Sequence, residues 1–169
     1  IRNRPSVDQV QVFVNEYVGN RYWIVLAPGT WEFELVEMKA PGSIWNPSGS
    51  GEVYMSSASE GYEGRTGYVD ETAGAYYAAR LGVLEYLSEI GRQAKALVLR
   101  EISDDYWAPV GVWQVRESVR NAFEDGPTPD LAGEPGIAET FGTAIEQILP
   151  HLPVSAERLR RKSELVAGR

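Results

Sequence analysis

Apolar and polar residues alternate through residues 9 to 38 in three runs, "QVQVFVNEYV", "RYWIVLA" and "WEFELVEM", with "GN" and "PGT" between them. A period of two suits half-buried antiparallel strands, and the two short breaks suit turns. The pattern predicts a three-stranded meander. In its third run Trp31, Phe33 and Leu35 share one face and Glu32, Glu34 and Val36 the other, with Glu32, Glu34 and Glu37 expected in water. Residues 40 to 51, "APGSIWNPSGSG", have the composition of a loop, and "EVYM" after them suits a short strand.

The period then changes to that of a helix. Residues 72 to 91 open after Asp70 and Glu71 and close near Gly91. At 100° per residue, Tyr86, Ile90, Val83, Tyr76, Leu87, Arg80, Ala73, Leu84, Tyr77 and Leu81 fall in order around one broad arc, which puts Arg80 at its centre. Gly74, Ala78 and Gly82 form a strip beside it, and two glycines inside a helix, each costing about 1 kcal/mol against alanine, suggest a close backbone approach. Residues 94 to 103, "AKALVLREIS", read as a central strand covered on both faces and ending in Arg100 and Glu101. Residues 111 to 124, "GVWQVRESVRNAFE", read as a second helix with Val112, Val115, Val119, Ala122 and Phe123 toward the core and Trp113, Arg116 and Arg120 on a flank. After the turn-rich linker "DGPTPDLAGEPG", two shorter helices are expected at 137 to 148 and 154 to 167. The expected fold is α+β: an antiparallel meander plus a further central strand, packed against helices, in residues 1–124, followed by a linker and helical C-terminal appendage in 125–169.

Composition narrows the chemistry. The 169 residues, 43% of them hydrophobic, suffice for one core. No apolar run approaches the roughly 18 residues of a membrane helix, so no membrane partner is expected. The absence of cysteine removes disulfides, zinc-thiolate sites and cysteine nucleophiles, and leans toward a cytoplasmic setting. With one histidine, His151, any metal would have to sit on carboxylates, which favours magnesium, manganese or calcium. No cofactor is expected. The formal charge of −8 is uneven: residues 121 to 150 hold six acids and no lysine or arginine, whereas 151 to 169 hold Arg158, Arg160, Arg161, Lys162 and Arg169 against two glutamates. That excludes a uniformly basic nucleic-acid binder and leaves room for a local basic surface. The opening "IRNRPSVDQV" lacks a methionine and reads as part of a longer protein.

Three stretches, "EGYEGRTGYVDETAGAYYAARLGVLEYL", "RQAKALVLREIS" and "YWAPVGVWQVRESVRNAF", resemble the C-terminal domain of the archaeal Nre proteins, which act in DNA repair, with the likeness covering roughly residues 9 to 124. The resemblance implies a DNA-repair domain that handles DNA or a nucleotide. It also implies a partner, the sliding clamp PCNA, reached through a short C-terminal peptide that begins with glutamine and ends with aromatics. Nothing after Arg158 fits that peptide, so either it follows in the whole protein or this member lacks it. The cysteine-bearing N-terminal half of the family is expected to be missing, and no enzymatic residue carries over from the likeness.

Candidate sites follow from residue types. Arg65, Arg80, Arg92, Lys95, Arg100, Arg116 and Arg120 are interleaved with Tyr62, Tyr68, Tyr76, Tyr77, Trp107 and Trp113. Guanidinium forks match phosphate oxygens and aromatic faces stack on unpaired bases, so Arg65, Arg80, Arg100, Arg116, Arg120, Tyr62 and Trp113 are the expected phosphate or nucleic-acid contacts. The same segment carries as many acids, and Glu117, Arg120 and Glu124 have the spacing of surface ion pairs. A permanent charge in an apolar arc needs a negative partner, and for Arg80 that is Glu101 on the central strand or a bound anion. Glu37 and Lys39 resemble the half-motif of metal-dependent nucleases, the main enzymatic alternative, but lack a second carboxylate beyond Asp8. Serine hydrolysis is disfavoured by the isolated histidine, and the glycine-rich loops match no phosphate-loop spacing. A protein-binding module without nucleic-acid contact is the third class.

Overall fold

The computed structural model describes residues 3–17, 19–41, 52–61, 73–103, 112–127 and 137–168. Their elements run β1 Val10–Tyr17, β2 Asn20–Ala27, β3 Glu32–Lys39, β4 Tyr54–Glu60, α1 Ala73–Ile90, β5 Lys95–Ile102, α2 Val112–Glu124, β6 Ile137–Ala138, α3 Phe141–Ile148, a 3-10 turn Leu149–His151 and α4 Ala156–Lys162. The strands make one six-stranded mixed sheet in the order β4-β3-β5-β2-β1-β6. The α+β architecture expected from the periodicities is present, including the central strand and both long helices.

Only the first turn of the expected meander closes a hairpin. β1 and β2 pair antiparallel around Gly19, whose φ of 74° is the left-handed conformation that glycine tolerates. β2 and β3 do not pair, because β5 lies between them, antiparallel to β2 and parallel to β3. The "PGT" link therefore crosses the beginning of β5. Gly29, at φ 147°, passes so close to Lys95 that an added Cβ would lie 3.0 Å from its side chain, and the Gln93 side chain accepts a hydrogen bond from the Trp31 amide at 2.9 Å. The physical reason is burial: Ala96 to Arg100 are all buried, and such a strand gains most from the middle of a sheet.

Both faces of the sheet are covered. On one, Phe13, Ile24, Leu26, Phe33, Leu35 and Val98 pack against Val83 and Leu87 of α1 and Val119 and Phe123 of α2. On the other, Val12, Val25, Val36, Leu97 and Leu99 pack against Ile145 and Ile148 of α3, Leu159 of α4 and Leu165. Alternation along β3 consequently separates two cores rather than core from water. Glu34 and Glu37, expected on a wet face, are buried, with 1% and 3% of their surface exposed.

Glu34 is stabilised by the segment that buries it. Its carboxylate accepts from the Ser163 hydroxyl and from the backbone amides of Glu164 and Leu165, tying the chain after α4 to the middle of β3. Burial pushes its carboxyl above the ordinary value and these hydrogen bonds pull only part of the way back.

In α1 the buried positions are Tyr76, Ala78, Ala79, Gly82, Val83 and Leu87, whereas Leu81 and Ile90 are exposed. The buried arc is thus turned toward the small-residue strip, and Arg80 lies at its margin instead of its centre. The strip explains the turn. An added Cβ on Gly82 would meet Val119 Cγ1 at 2.9 Å and the Arg116 carbonyl oxygen at 3.2 Å, so α1 and α2 approach closely at Gly82, whereas Gly74 is exposed.

Candidate functional site

Arg80 meets a carboxylate, but a different one from that expected. Its Nε donates to Glu60 at the end of β4, 2.6 Å away, and Trp31 Nε1 and the Tyr76 hydroxyl donate to the same carboxylate at 3.0 and 2.7 Å. Glu101 lies on the opposite face of the sheet from Arg100 and from α1, where Trp23 Nε1 donates to it at 2.9 Å. Burial raises the Glu60 carboxyl, and the hydrogen bonds from Arg80, Trp31 and Tyr76 with the charge of Arg80 outweigh it, leaving the group below its ordinary value.

The other expected contacts are spread over separate environments. Arg100 is buried, donating to Glu37 at 2.6 Å and to Asn20 at 2.8 Å, and stacks 5.6 Å above the Tyr22 ring. Glu37 is thus the counter-ion of a buried arginine, and among the described residues no three His, Asp or Glu side chains gather in one group. Arg116 donates twice to Glu85 of α1, at 2.7 Å each, and reaches Glu117 at 3.4 Å. Arg120 pairs with Glu89 of α1 rather than with Glu117 or Glu124 of its own helix as the spacing suggested, so both arginines reach across to α1. Trp113 is the largest exposed apolar side chain described, at 62%. Tyr62, Arg65, Tyr68 and Trp107 lie outside the described residues. Arg100 thus shares no surface with Arg116 and Trp113.

A basic cleft appears elsewhere. Glu52, Val53, Tyr54 and Met55 at the start of β4 and Arg158, Arg161 and Lys162 of α4 line a cavity of about 610 Å³. Ser155 caps α4 by accepting from the Arg158 amide, and three basic residues close its last turn, where the helix dipole favours them. Arg158 Nη2 donates to the Val53 carbonyl at 2.7 Å, and the Ser57 hydroxyl donates to the Lys162 carbonyl at 3.1 Å, so helix and edge strand are fixed to each other. Arg161 is 70% exposed and faces Glu157 at 3.7 Å. The run "RLRRK" signalled this charge in the sequence, but only the fold shows that it flanks an edge strand.

Residues 60–169 match the family model described as Archaeal Nre, C-terminal, and residues 1–46 match that described as Archaeal Nre, N-terminal. The chain belongs to the archaeal Nre family. It is 59% identical over 168 residues to the DNA repair protein NreA of Haloferax volcanii, covering 99% of this chain and 38% of that protein. It is 39% identical over 139 residues to NreA of Archaeoglobus fulgidus, covering 82% and 32%, and 34% identical over 166 residues to NreB of the same organism, covering 98% and 40%. This Nre chain thus spans at most two fifths of these relatives. No solved structure matches it.

The matches extend the expected likeness at both ends, and they assign residues 9–46, expected to resemble the C-terminal domain, to the N-terminal Nre region, of which a stretch of 46 residues is therefore present. β1, β2 and β3 lie in the N-terminal Nre region and β5 and β6 with the four helices in the C-terminal one, while β4 lies between the two matched stretches except for Glu60. Because β5 inserts between β2 and β3, the two Nre regions are interleaved in a single sheet.

Proposed function

We propose that this Nre chain serves DNA repair as the part of a longer protein that holds a nucleic-acid backbone in the cleft between β4 and α4. The observation that carries this reading is the cluster of Arg158, Arg161 and Lys162 beside Tyr54, on a chain whose formal charge is −8. Localised positive charge on an acidic protein attracts phosphates without general stickiness. The names of the relatives supply the DNA-repair context, and DNA contact is the finer part of the proposal. Arg116 and Trp113 form the second surface of this reading. The clamp PCNA enters on the same footing: its peptide has no match within these 169 residues, and capture of the clamp by the whole protein tests that link.

The test is single-stranded DNA affinity measured across a salt series. Log affinity should fall with log salt by about 0.7 per phosphate contacted. Arg161→Glu with Lys162→Glu should lower affinity at every sequence tried and flatten the slope by about 1 to 2. Binding that ignores salt, or that survives this reversal and is lost on Arg116→Glu, would move the contact away from α4.

A further inference from the structure

Residues 4–7 enter the fold beside the end of α1. Gly91, at φ 67°, closes that helix, and the Arg92 amide donates back to the Leu87 carbonyl at 3.0 Å. The turn presents Arg92 and Gln93 to the incoming segment. The Gln93 amide donates to the Pro5 carbonyl at 3.0 Å and the Val7 amide to the Gln93 carbonyl at 2.8 Å. The Gln93 side chain donates to the Arg4 carbonyl at 2.6 Å, and Arg92 Nη1 donates to the Ser6 carbonyl at 3.1 Å. Gln93 is itself buried and fixed by the Trp31 amide, from which it accepts. These bonds set the direction from which Nre sequence before residue 3 would reach the fold.

Two observations mark an unfilled contact at this end of α1. The first is polar: Arg4 Nη1 is buried without a hydrogen-bond partner. A guanidinium nitrogen shut off from water is costly unless an acceptor meets it. Its surroundings supply none. Among the described residues neither Arg4 nor Arg92 forms an ion pair, and Glu89, the last acid of α1, is taken by Arg120 of α2. The second observation is apolar: Ile90, the last residue of α1, is 40% exposed. Leu81 is exposed to a similar degree, but nine residues at 100° each put it half a turn around the helix, on the side away from the sheet. Ile90 lies on the sheet side and is uncovered because the helix ends there.

The relatives point to what fills it. This chain covers at most two fifths of each of them, and its residues 1–46 match the N-terminal Nre region. We propose that in the whole Nre protein the sequence N-terminal to residue 1 docks on the end of α1, laying an apolar side chain on Ile90 and bringing a carboxylate or carbonyl oxygen to Arg4. Tethering favours this occupant over a separate molecule. A segment joined to the chain within a few residues of its site is held there at an effective concentration on the order of millimolar. The contact also continues an interface that the fold already has, since β5 of the C-terminal Nre region lies between β2 and β3 of the N-terminal one. It is independent of any nucleic acid at α4.

Photocrosslinking in the whole Nre protein tests the docking. With benzoylphenylalanine incorporated at position 90, crosslinks should run within one molecule to the sequence before residue 1 and concentrate on one segment of it. The same probe at position 81, similarly exposed, should not capture that segment, which separates a seated contact from a tether that brushes the whole surface. Hydrogen exchange then reads the part played by each residue. Ile90→Asp and Arg4→Met should each raise exchange in the captured segment about tenfold, equal to 1.4 kcal/mol, while the amides of β5 keep their protection. Crosslinks confined to residues 1–169, crosslinks joining two copies when isotopically light and heavy protein are mixed, or equal capture from positions 81 and 90 would overturn the proposal. So would exchange in the captured segment that ignores either variant.

Discussion

Replacing Glu60 by glutamine removes a single charge from a carboxylate that accepts three side-chain hydrogen bonds. In the folded protein Glu60 accepts from Trp31, Tyr76 and Arg80, and Trp31 and Tyr76 are 1% and 0% exposed. The amide of Glu60→Gln presents one acceptor oxygen where the carboxylate presents two, so at least one buried donor loses its partner, at about 1–3 kcal/mol. Arg80 loses its counter-ion as well. Breaking a buried pair costs about 3–5 kcal/mol, and the 34% exposure of the Arg80 side chain moves this pair toward the lower end of that range. A loss of about 3 kcal/mol at pH 7 is expected, or a melting point lower by about 6–12 °C in a chain of this length. The pH dependence has a definite sign. The Glu60 carboxyl lies below its ordinary value when folded, so its stabilisation is present above the unfolded carboxylate value, about pH 4.3, and is lost as pH falls through the folded value. Urea unfolding of both proteins from pH 7 down to pH 3 should show a gap that closes on the acid side. A Glu60→Gln variant within 0.5 kcal/mol of the parent at pH 7, or a gap independent of pH, would refute this role for Glu60.

Glu34→Ala should release the segment after α4, raising hydrogen exchange at the Glu164 and Leu165 amides before the sheet itself opens, whereas unchanged exchange there would mean that the carboxylate does not anchor it. Gly82→Ala should destabilise by about 1–3 kcal/mol despite alanine's better helix propensity, because the new methyl group meets Val119 and the Arg116 backbone; a gain in melting temperature would show that α2 can move aside. Glu37→Gln should cost about 3–5 kcal/mol by leaving Arg100 buried without its counter-ion, and magnesium-dependent DNA cleavage that this variant abolished would restore the nuclease reading.

The parts of this fold that were legible in the sequence are those whose signal is local. α1 and α2 declared themselves by a period near 3.6, β5 by its unbroken apolar run, and the close approach at Gly82 by a glycine inside a helix. Non-local features were not legible. The alternation of β3 is the same whether Glu34 faces water or a docked C-terminal segment, and no local residue announces that residues 163–165 return to cover it. The order of β5 between β2 and β3 depends on a crossover through β4 and α1, which two turn-forming residues at Gly29 do not reveal. The candidate arginines illustrate the same limit. Arg80 needed a carboxylate on charge grounds, yet Glu60 rather than Glu101 meets it, because adjacent residues of β5 face opposite sides and only Arg100 points toward α1. The buried pair of Arg100 and Glu37 beside Tyr22 exists only once β2, β5 and β3 are in register.

The central claim, that a nucleic-acid backbone lies between β4 and α4, is tested most directly by photocrosslinking. Single-stranded DNA carrying a photoreactive base would be irradiated with the protein at low salt and the attached peptides mapped by mass spectrometry. Crosslinks should concentrate on residues 52–55 and 156–162 and disappear on Arg161→Glu with Lys162→Glu. Crosslinks confined to the Trp113 and Arg116 flank of α2, or a pattern unaltered by that double reversal, would contradict the account.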